Sequence, residues 1–456
     1  MILWRGSSGT AIDTPARSVT KTIWSGWCAS RPDRGIWLSV WARARSVPGP
    51  TGFLRVSRDR DMAEILKRRI GLGLLTAYGV GVMVGAGIYV LVGAVAAEAG
   101  IWAPLAFVLA GVIAAPTALS YAEFSTRFPE AAGEAAFVAK GVQAPWLGTL
   151  VGLAIVMAGA VSAAAVLRGG VGYLGAVTGW PAGPSMVVIG ALLAAVAVVG
   201  VLESLALAAI FTVVEVLGLG LVVYAGFSAV PVADFQMPQE IVWSGVTAGA
   251  VLAFFAFIGF EDIVNMAEEV REPERVLPRA ILLSLIITSL LYALVTWAAV
   301  RSVPLERLGA SEQPLALVWQ MGQGGSAAFL SLIAVVAALN GVLAQMVMAS
   351  RVLFGLGRRS AWLSVFHHAH PRFGTPVRAT VLISVAVIGG ALALPVAELA
   401  GVTSTLLLTV FVLVNGALIL MKRRVPEAAF RVPMAVPVFG VVVALAALGA
   451  SLGGLG

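Results

Sequence analysis

The first candidates for chemistry are backbone groups in a glycine-rich stretch within the first long apolar segment. The stretch Gly79–Gly93 reads GVGVMVGAGIYVLVG, with glycine at positions 79, 81, 85, 87 and 93. Glycine weakens a helix by about 1 kcal/mol per residue relative to alanine. The Gly85-Ala86-Gly87 core therefore predicts a helix break, whose exposed N–H and C=O groups could bind a zwitterion or an ion. Close helix packing is the alternative, because Gly81-x-x-x-Gly85 is also a packing motif.

A second candidate lies in the sixth apolar segment, VTAGAVLAFFAFIGFEDIVNMAEEV. Ile258-Gly259-Phe260 interrupts this segment near its middle, and Glu261 and Asp262 follow at once. An ionisable side chain inside a membrane costs several kcal/mol unless it faces the bundle interior or water, so both acids are functional candidates. Two glycine breaks at corresponding positions in two blocks of five helices are typical of inverted repeats with a binding site between their broken helices.

The composition places these elements in a lipid bilayer. The chain has 456 residues, of which 59% are hydrophobic and 12% are charged, whereas soluble domains average about 25% charged residues. The sequence therefore predicts an all-α polytopic membrane protein. The single cysteine, Cys28, excludes an internal disulfide. His367, His368 and His370 share one polar loop, where solvation is favoured over a metal site, and we expect neither a metal nor a cofactor.

Eleven apolar segments have the length and spacing of membrane spans, and the basic residues between them predict their orientation. Nearly all Lys and Arg residues fall in the loops on one side, whereas the opposite loops carry only Arg168, Arg301 and Arg307. Basic loops are usually cytoplasmic, so the N-terminus is predicted to be cytoplasmic. The predicted spans are 71–97, 102–125, 145–167, 184–202, 205–230, 244–268, 279–300, 327–354, 377–395, 399–421 and 434–452.

Six motifs, in this order and spacing, resemble the amino acid–polyamine–organocation (APC) superfamily of permeases. The resemblance runs from about Leu72 to Pro437. It implies a LeuT-like architecture, in which two inverted five-helix repeats place the broken helices 1 and 6 at a substrate site, and it implies an α-amino acid as substrate. The motifs are VGAGIYV (84–90), LSYAEFSTRFPEAAGE (119–134), FFAFIGFEDIVNMAEEVREPERVLPRAI (254–281), LNGVLAQMVMASRVLFGLGR (339–358), TPV (375–377) and NGALILMKRRVPEAAFRVP (415–433).

The sequence predicts two regions of the chain. Residues 1–61 are predicted to be a disordered or misannotated extension, with translation starting at Met62, because no apolar run there is long enough for a span. Residues 62–456 form the predicted permease domain, with repeat 1 at about 71–230, repeat 2 at about 244–421 and an extra helix at about 434–452. Many members of the superfamily have twelve spans, but the ten helices of the two repeats suffice for a binding site.

The predicted substrate site consists of backbone groups at the two breaks. N–H groups at the start of the second half of span 1 would hold the carboxylate, aided by the helix dipole. Carbonyls that end the first half, near Met83, and carbonyls of span 6 would accept from the ammonium. Phe257 or Phe260 could cover the site as an aromatic gate, with ordinary packing as the alternative. The predicted substrate-binding residues are Val84, Gly85, Ala86, Gly87, Ile88, Ala256, Phe257, Ile258, Gly259 and Phe260.

Four further side chains are predicted to act in coupling or gating: Glu215, Glu261, Asp262 and Asn340. Proton-coupled members of the superfamily carry a lysine in span 5, in a segment like TVVKL, whereas residues 212–216 read TVVEV here. Glu215 is interpreted as a proton carrier, with metal-cation binding or a structural role as alternatives. Glu261 and Asp262 are expected to cap the second half of span 6 rather than to contact substrate.

Span 8 offers further candidates for the side-chain pocket or the cation site, namely Gln345, Met346 and Met348 beside Asn340. The Phe, Met and Ala residues around the breaks favour a neutral substrate, although Glu261 would accept a cationic side chain. The pattern predicts a secondary active amino acid transporter of the cell membrane that uses protons and binds no nucleic acid. An amino acid or polyamine exchanger and a transporter-like nutrient sensor are the alternatives. An enzyme is not expected, because the chain contains no nucleophile triad and no G-x-x-x-x-G-K-[ST] loop.

Overall fold

The computed structural model describes residues 70–128, 133–199, 205–236 and 240–453. The predicted extension 1–61 and Met62 lie outside these residues. Within them the chain is mainly helical, and an isolated bridge pairs Ile70 with Val270. The α-helices are α1 (Leu72–Ala99), α2 (Ala103–Arg127), α3 (Gly133–Val142), α4 (Pro145–Thr178), α5 (Ala182–Val199), α6 (Leu205–Ser228), α7 (Ala233–Gln236), α8 (Trp243–Phe254), α9 (Pro273–Ser302), α10 (Leu305–Gly309), α11 (Pro314–Gln323), α12 (Ala328–Arg359), α13 (Val377–Ala393), α14 (Val396–Arg424) and α15 (Ala435–Gly453).

The apolar segments form the helices that the sequence predicts. In the part of the chain that the structure describes, eight helical stretches are long and apolar enough to cross a membrane. Of three shorter apolar helices, Leu72–Gly85 is the first half of the predicted span 71–97, while Val377–Ala393 and Ala435–Ser451 coincide with the predicted spans 377–395 and 434–452. A polytopic all-α membrane fold is therefore confirmed. The spans follow each other as two sets of five, and each set begins with a broken helix.

The break in the first span lies at Gly85, as predicted. Its backbone torsion angles, φ −12° and ψ −159°, interrupt α1 between two helical halves. The other glycines of this stretch serve close packing instead. A Cβ atom at Gly81 would overlap the side chain of Thr212 in α6, and one at Gly93 would overlap the carbonyl of Leu308 in α10. The two interpretations of the glycine-rich stretch therefore hold at different positions, with a break at Gly85 and packing on either side.

The sixth span is also broken where the sequence predicts. It consists of α8, a 3₁₀ turn at Phe255–Phe257 and, after the break, a 3₁₀ helix at Glu261–Glu269. We call this whole segment span 6. Ile258 is extended, with ψ 131°, and Gly259 has φ +125°, a conformation that favours glycine over residues with a side chain. The second half of span 6 is therefore a 3₁₀ helix, whereas the sequence predicts an α-helix there.

The remaining spans enclose the two broken ones. The longest helix, α4, packs against α12, α13 and α14, whereas α1 packs against α6, α9 and span 6. Arg301 at the end of α9 donates hydrogen bonds to the carbonyls of Gly226 and Ala229 at the end of α6, at 2.8 Å and 2.7 Å. These contacts satisfy carbonyls that a helix end leaves unpaired, and they hold α6 against α9 beside the broken helices.

Candidate functional site

The two broken spans cross in direct backbone contact. A Cβ atom at Gly87 would lie 3.1 Å from the Cα atom of Ala256. A Cβ atom at Gly259 would lie 2.7 Å from the Val82 side chain and 3.2 Å from the backbone nitrogen of Met83. The absence of a Cβ atom permits this close approach, and a side chain would crowd the backbone at Gly87 and overlap Val82 at Gly259. The predicted substrate-binding residues of span 1 and span 6 are thus brought together.

The break in α1 borders open space. Among the described residues, no atom beyond the adjoining backbone of α1 lies within 4 Å of the position that a Cβ atom at Gly85 would take. Val84 and Ile88 on either side are fully buried. Gly85 is therefore not packed closely against another helix, unlike the other glycines of this stretch.

A tyrosine from a third helix links the two breaks. The hydroxyl of Tyr292 in α9 lies 2.6 Å from the carbonyl oxygen of Met83 and 2.9 Å from that of Ala256. These are carbonyls of the region that the sequence predicts to receive an ammonium group. A hydroxyl has one hydrogen, so it donates to one of these carbonyls at a time. The other carbonyl keeps acceptor capacity for a ligand.

The two candidate gate residues are packed within the bundle. The Phe257 ring lies 5.2 Å from the Tyr292 ring in an edge-to-face arrangement. The Phe260 ring lies 5.7 Å from the ring of Tyr121 in α2 and 5.3 Å from that of Phe411 in α14. Both phenylalanines are completely buried. In this conformation each ring therefore fills the core between helices.

Glu261 and Asp262, the acids that follow the break in span 6, form different hydrogen bonds with Gly259. The Glu261 carboxylate accepts a hydrogen bond of 2.9 Å from the backbone N–H of Gly259, so it pairs a donor that the break leaves free. The backbone N–H of Asp262 donates to the carbonyl of Gly259 at 3.1 Å. Both side chains are buried and line a small cavity beside Ile258.

Glu215 of α6 is a buried acid with an unpaired carboxyl group. Its side chain is 1% exposed, and neither carboxyl oxygen has a hydrogen-bond partner among the described residues. The Tyr89 hydroxyl, from the second half of α1, donates instead to the main-chain carbonyl of Glu215 at 2.9 Å. Asn340 of α12 lies near this carboxyl, without hydrogen-bond geometry. The structure thus brings Glu215 and Asn340 together beside α1, apart from Glu261 and Asp262.

The side chains predicted in span 8 separate into two groups. Gln345 and Met348 line the cavity that Glu261 and Asp262 also line. Met346 is directed elsewhere, since its sulfur accepts a 3.9 Å hydrogen bond from the hydroxyl of Ser384 in α13. Only Gln345 and Met348 of the three therefore reach the region next to the break in span 6.

Two residues near the breaks, Tyr292 and Glu134, are not predicted from the sequence to be functional. Tyr292 is one tyrosine in a long apolar helix, and no local pattern marks its contacts with residues more than 30 positions away. Glu134 belongs to the quoted motif at 119–134, yet its partners come from distant helices. It is buried in α3, outside the spans, and lines the same cavity as Asp262. Burial raises the pKa of Glu134 from 4.5 to about 7.

Comparison with known proteins agrees with this architecture. The sequence model of the amino acid permease family matches residues 70–454. The chain is 28% identical over 360 residues to a methylthioribose transporter of Bacillus subtilis, covering 74% of this chain and 77% of that protein. It is 28% identical over 394 residues to the branched-chain amino acid permease BcaP of the same organism, covering 81% and 84%. An uncharacterised transporter of Mycobacterium tuberculosis is 30% identical over 337 residues, covering 72% and 74%. The chain belongs to the amino acid permease family of the APC superfamily.

Proposed function

We propose that this permease is a secondary active transporter that moves amino acids across the cell membrane by alternating access. The observation that carries the proposal is the contact between two broken spans at the centre of the bundle, where Gly87 meets Ala256. Broken spans supply helix ends and free backbone groups, which suit the carboxylate and the ammonium of an amino acid. Among the similar proteins, BcaP is a branched-chain amino acid permease, which supports this substrate class.

The substrate would lie at the gap beside Gly85. Its carboxylate would face the start of the second half of α1, at residues 85–88, where the helix dipole favours an anion. Its ammonium would face the carbonyls of Met83 and Ala256. These two carbonyls share the one hydrogen of the Tyr292 hydroxyl, so acceptor capacity remains for the ammonium. The basic loops predict that the N-terminus of the chain is cytoplasmic.

Proton coupling is assigned to Glu215. An ionised carboxylate without a partner is costly in a buried site, so this group is stabilised by binding a proton or another cation. Glu215 lies between α1 and α12, and Tyr89 connects its backbone directly to the second half of the broken helix. A change in the charge of Glu215 therefore acts on an element that contributes to the substrate site.

Uptake measurements test both parts of the proposal. Purified protein in proteoliposomes would receive a mixture of labelled amino acids, with and without an inward proton gradient. We expect the gradient to raise uptake by the wild type, and Glu215→Gln to lose this response, because the amide does not take up a proton near neutral pH. Glu98→Gln is the matched control, since Glu98 is an exposed acid at the end of α1.

Three other outcomes of the uptake measurements would change the proposal. Uptake that is independent of the proton gradient and requires amino acid inside the vesicles would show exchange, and Glu215 would then be structural. A normal gradient response in Glu215→Gln would contradict the coupling role alone. If folded protein moves no amino acid under either condition, the proposed function fails.

A further inference from the structure

A cavity lined by acids lies next to the break in span 6. Three buried carboxyl groups border it: Glu134 of α3, and Glu261 and Asp262 of span 6. Ile258, one of the residues that form the break, also lines the cavity. Ile155, Ala158 and Gly159 of α4, Gln345 and Met348 of α12, and Leu407 of α14 complete the lining. The cavity therefore extends the predicted substrate site towards α4 and α12.

An unpaired amide oxygen lies in the same cavity. Gln345 is 7% exposed, and its side-chain oxygen Oε1 has no hydrogen-bond partner among the described residues. A buried acceptor without a partner loses the hydrogen bonds that water would give it, which is unfavourable. The oxygen faces the side of the cavity formed by Gly159, since a Cβ atom there would lie 3.2 Å from it. The carboxyl groups and this oxygen together offer hydrogen-bond acceptors that a ligand rich in donors would satisfy.

The lining does not balance the charge of its acids. None of the ten residues that line the cavity is basic. The hydroxyl of Tyr121 in α2 also faces Glu134 and Glu261, but a neutral hydroxyl does not neutralise a carboxylate. Arg351 lies further along α12, is exposed and does not border the cavity. A cation inside the cavity would therefore favour the ionised form of these carboxyl groups and bind to the resulting carboxylates.

The arrangement of the acids disfavours a metal ion. Across the described residues, no group of three or more His, Cys, Asp or Glu side chains is placed to hold one. Acceptors spread over three separate elements suit a larger cation with several N–H donors. A guanidinium group has five such donors, and an ammonium group has three.

We infer that this cavity binds the positively charged end of the substrate's side chain, so that the permease prefers cationic amino acids. Glu134, Asp262 and the Oε1 atom of Gln345 would hold the guanidinium or ammonium group, while Glu261 also caps Gly259. This inference rests on the proposed transport function and concerns the same site. It opposes the expectation of a neutral substrate that the apolar residues around the breaks suggest.

The cavity borders the break in span 6. Ile258 belongs both to this break and to the lining of the cavity, so a side chain that enters at the break would meet the cavity next to Ile258. The cavity has room for about one water molecule in this conformation. Binding therefore requires neighbouring side chains to move, and Met348 is suited to this because its unbranched chain has three rotatable bonds.

A pair of nearly isosteric ligands tests the inference without any mutation. L-Arginine and L-citrulline have the same length and differ mainly in that the guanidinium of arginine is charged. Isothermal titration calorimetry of the purified permease in detergent would compare both with L-leucine. We expect arginine to bind at least about tenfold more tightly than citrulline, a difference of about 1.4 kcal/mol, because hydrogen bonds to a charged group are stronger than those to a neutral one. Equal or weaker binding of arginine would overturn the inference.

Variants then assign the preference to the cavity. Asp262→Asn and Glu134→Gln are each expected to lower the arginine-to-citrulline preference at least about tenfold. Glu274→Gln, an exposed acid in the first turn of α9, is the matched control and should leave the preference unchanged. Binding of leucine but not of arginine, or a preference that survives both cavity variants, overturns the inference and leaves the transport function intact. If neither binding nor uptake occurs with any of the three amino acids, the proposed function itself fails.

Discussion

The hydroxyl of Tyr292 has two carbonyl acceptors, but it has one hydrogen to donate. Met83 and Ala256 belong to different broken spans, so this hydroxyl connects segments that share no helical hydrogen bonds. The Tyr292 ring packs against Phe257 and Phe107, which fixes the position of the hydroxyl. The side chain thus positions the two carbonyls that we assign to the substrate's ammonium group.

We predict that Tyr292→Phe destabilises the permease by about 1–3 kcal/mol, since it leaves buried carbonyls without their donor. The ring remains, so the packing around Phe257 should be preserved. The measurement is thermal unfolding in detergent, followed by intrinsic fluorescence, together with uptake of amino acids. Tyr224→Phe is the control, because Tyr224 in α6 is largely exposed. An unchanged melting temperature and unchanged uptake would show that the hydroxyl has no positioning role.

At the level of elements, the crossing of α1 and span 6 depends on the absence of side chains at specific glycines. Gly87 approaches the backbone of Ala256, whereas Gly220 in α6 has no atom within 4 Å of the position of a Cβ atom. The same substitution should therefore have opposite effects at these two positions, which both lie in long apolar helices.

We expect Gly87→Ala to destabilise the fold by about 1–3 kcal/mol, because the added methyl group overpacks the contact between the broken spans. Gly220→Ala should be neutral or stabilising by up to about 1 kcal/mol, since alanine favours the helix and meets no neighbour. Thermal unfolding and size-exclusion chromatography in detergent check both variants. Equal melting temperatures would contradict the close crossing seen in the structure.

The elements were largely predictable from the sequence, whereas their contacts were not. Length and hydropathy mark each span, and glycine next to apolar residues marks the breaks at Gly85 and Gly259. The 3₁₀ winding of Glu261–Glu269 escaped prediction, because a 3₁₀ helix and an α-helix share the same residue preferences over a short segment. The roles of Tyr292 and Glu134 depend on residues far away in the chain, which no local pattern encodes.

At the scale of the whole molecule, a buried ionic cluster joins distant parts of the chain. The Glu123 carboxylate in α2 accepts from Arg127 and from Lys422 of α14, each at 2.6 Å. The same carboxylate accepts from the backbone N–H of Val432 at 2.9 Å, and Lys422 donates to the carbonyl of Val432 at 2.7 Å. The cluster therefore fastens the segment that leads to α15 onto α2 and α14.

Removal of Lys422 should cost about 3 kcal/mol, the lower end for a broken buried ion pair, because Arg127 continues to pair with Glu123. We predict a lower melting temperature in detergent for Lys422→Met. Arg423→Met removes an equal charge from the neighbouring exposed position and should have little effect. If both variants melt at the temperature of the wild type, the cluster does not stabilise the attachment of α15.

The glycine contacts also group the four halves of the broken spans into two packed pairs, each of which we call a unit. The first half of α1 packs on the second half of span 6, where Gly79 meets Ile263 and Ile70 pairs with Val270. The second half of α1 packs on α8, where the position of a Cβ atom at Gly249 lies 3.1 Å from Ala99. Each unit thus contains one half of each broken span, and the non-helical residues Gly85 and Gly259 lie between the halves. We expect these two residues to act as hinges that let one unit tilt against the other when the permease changes conformation.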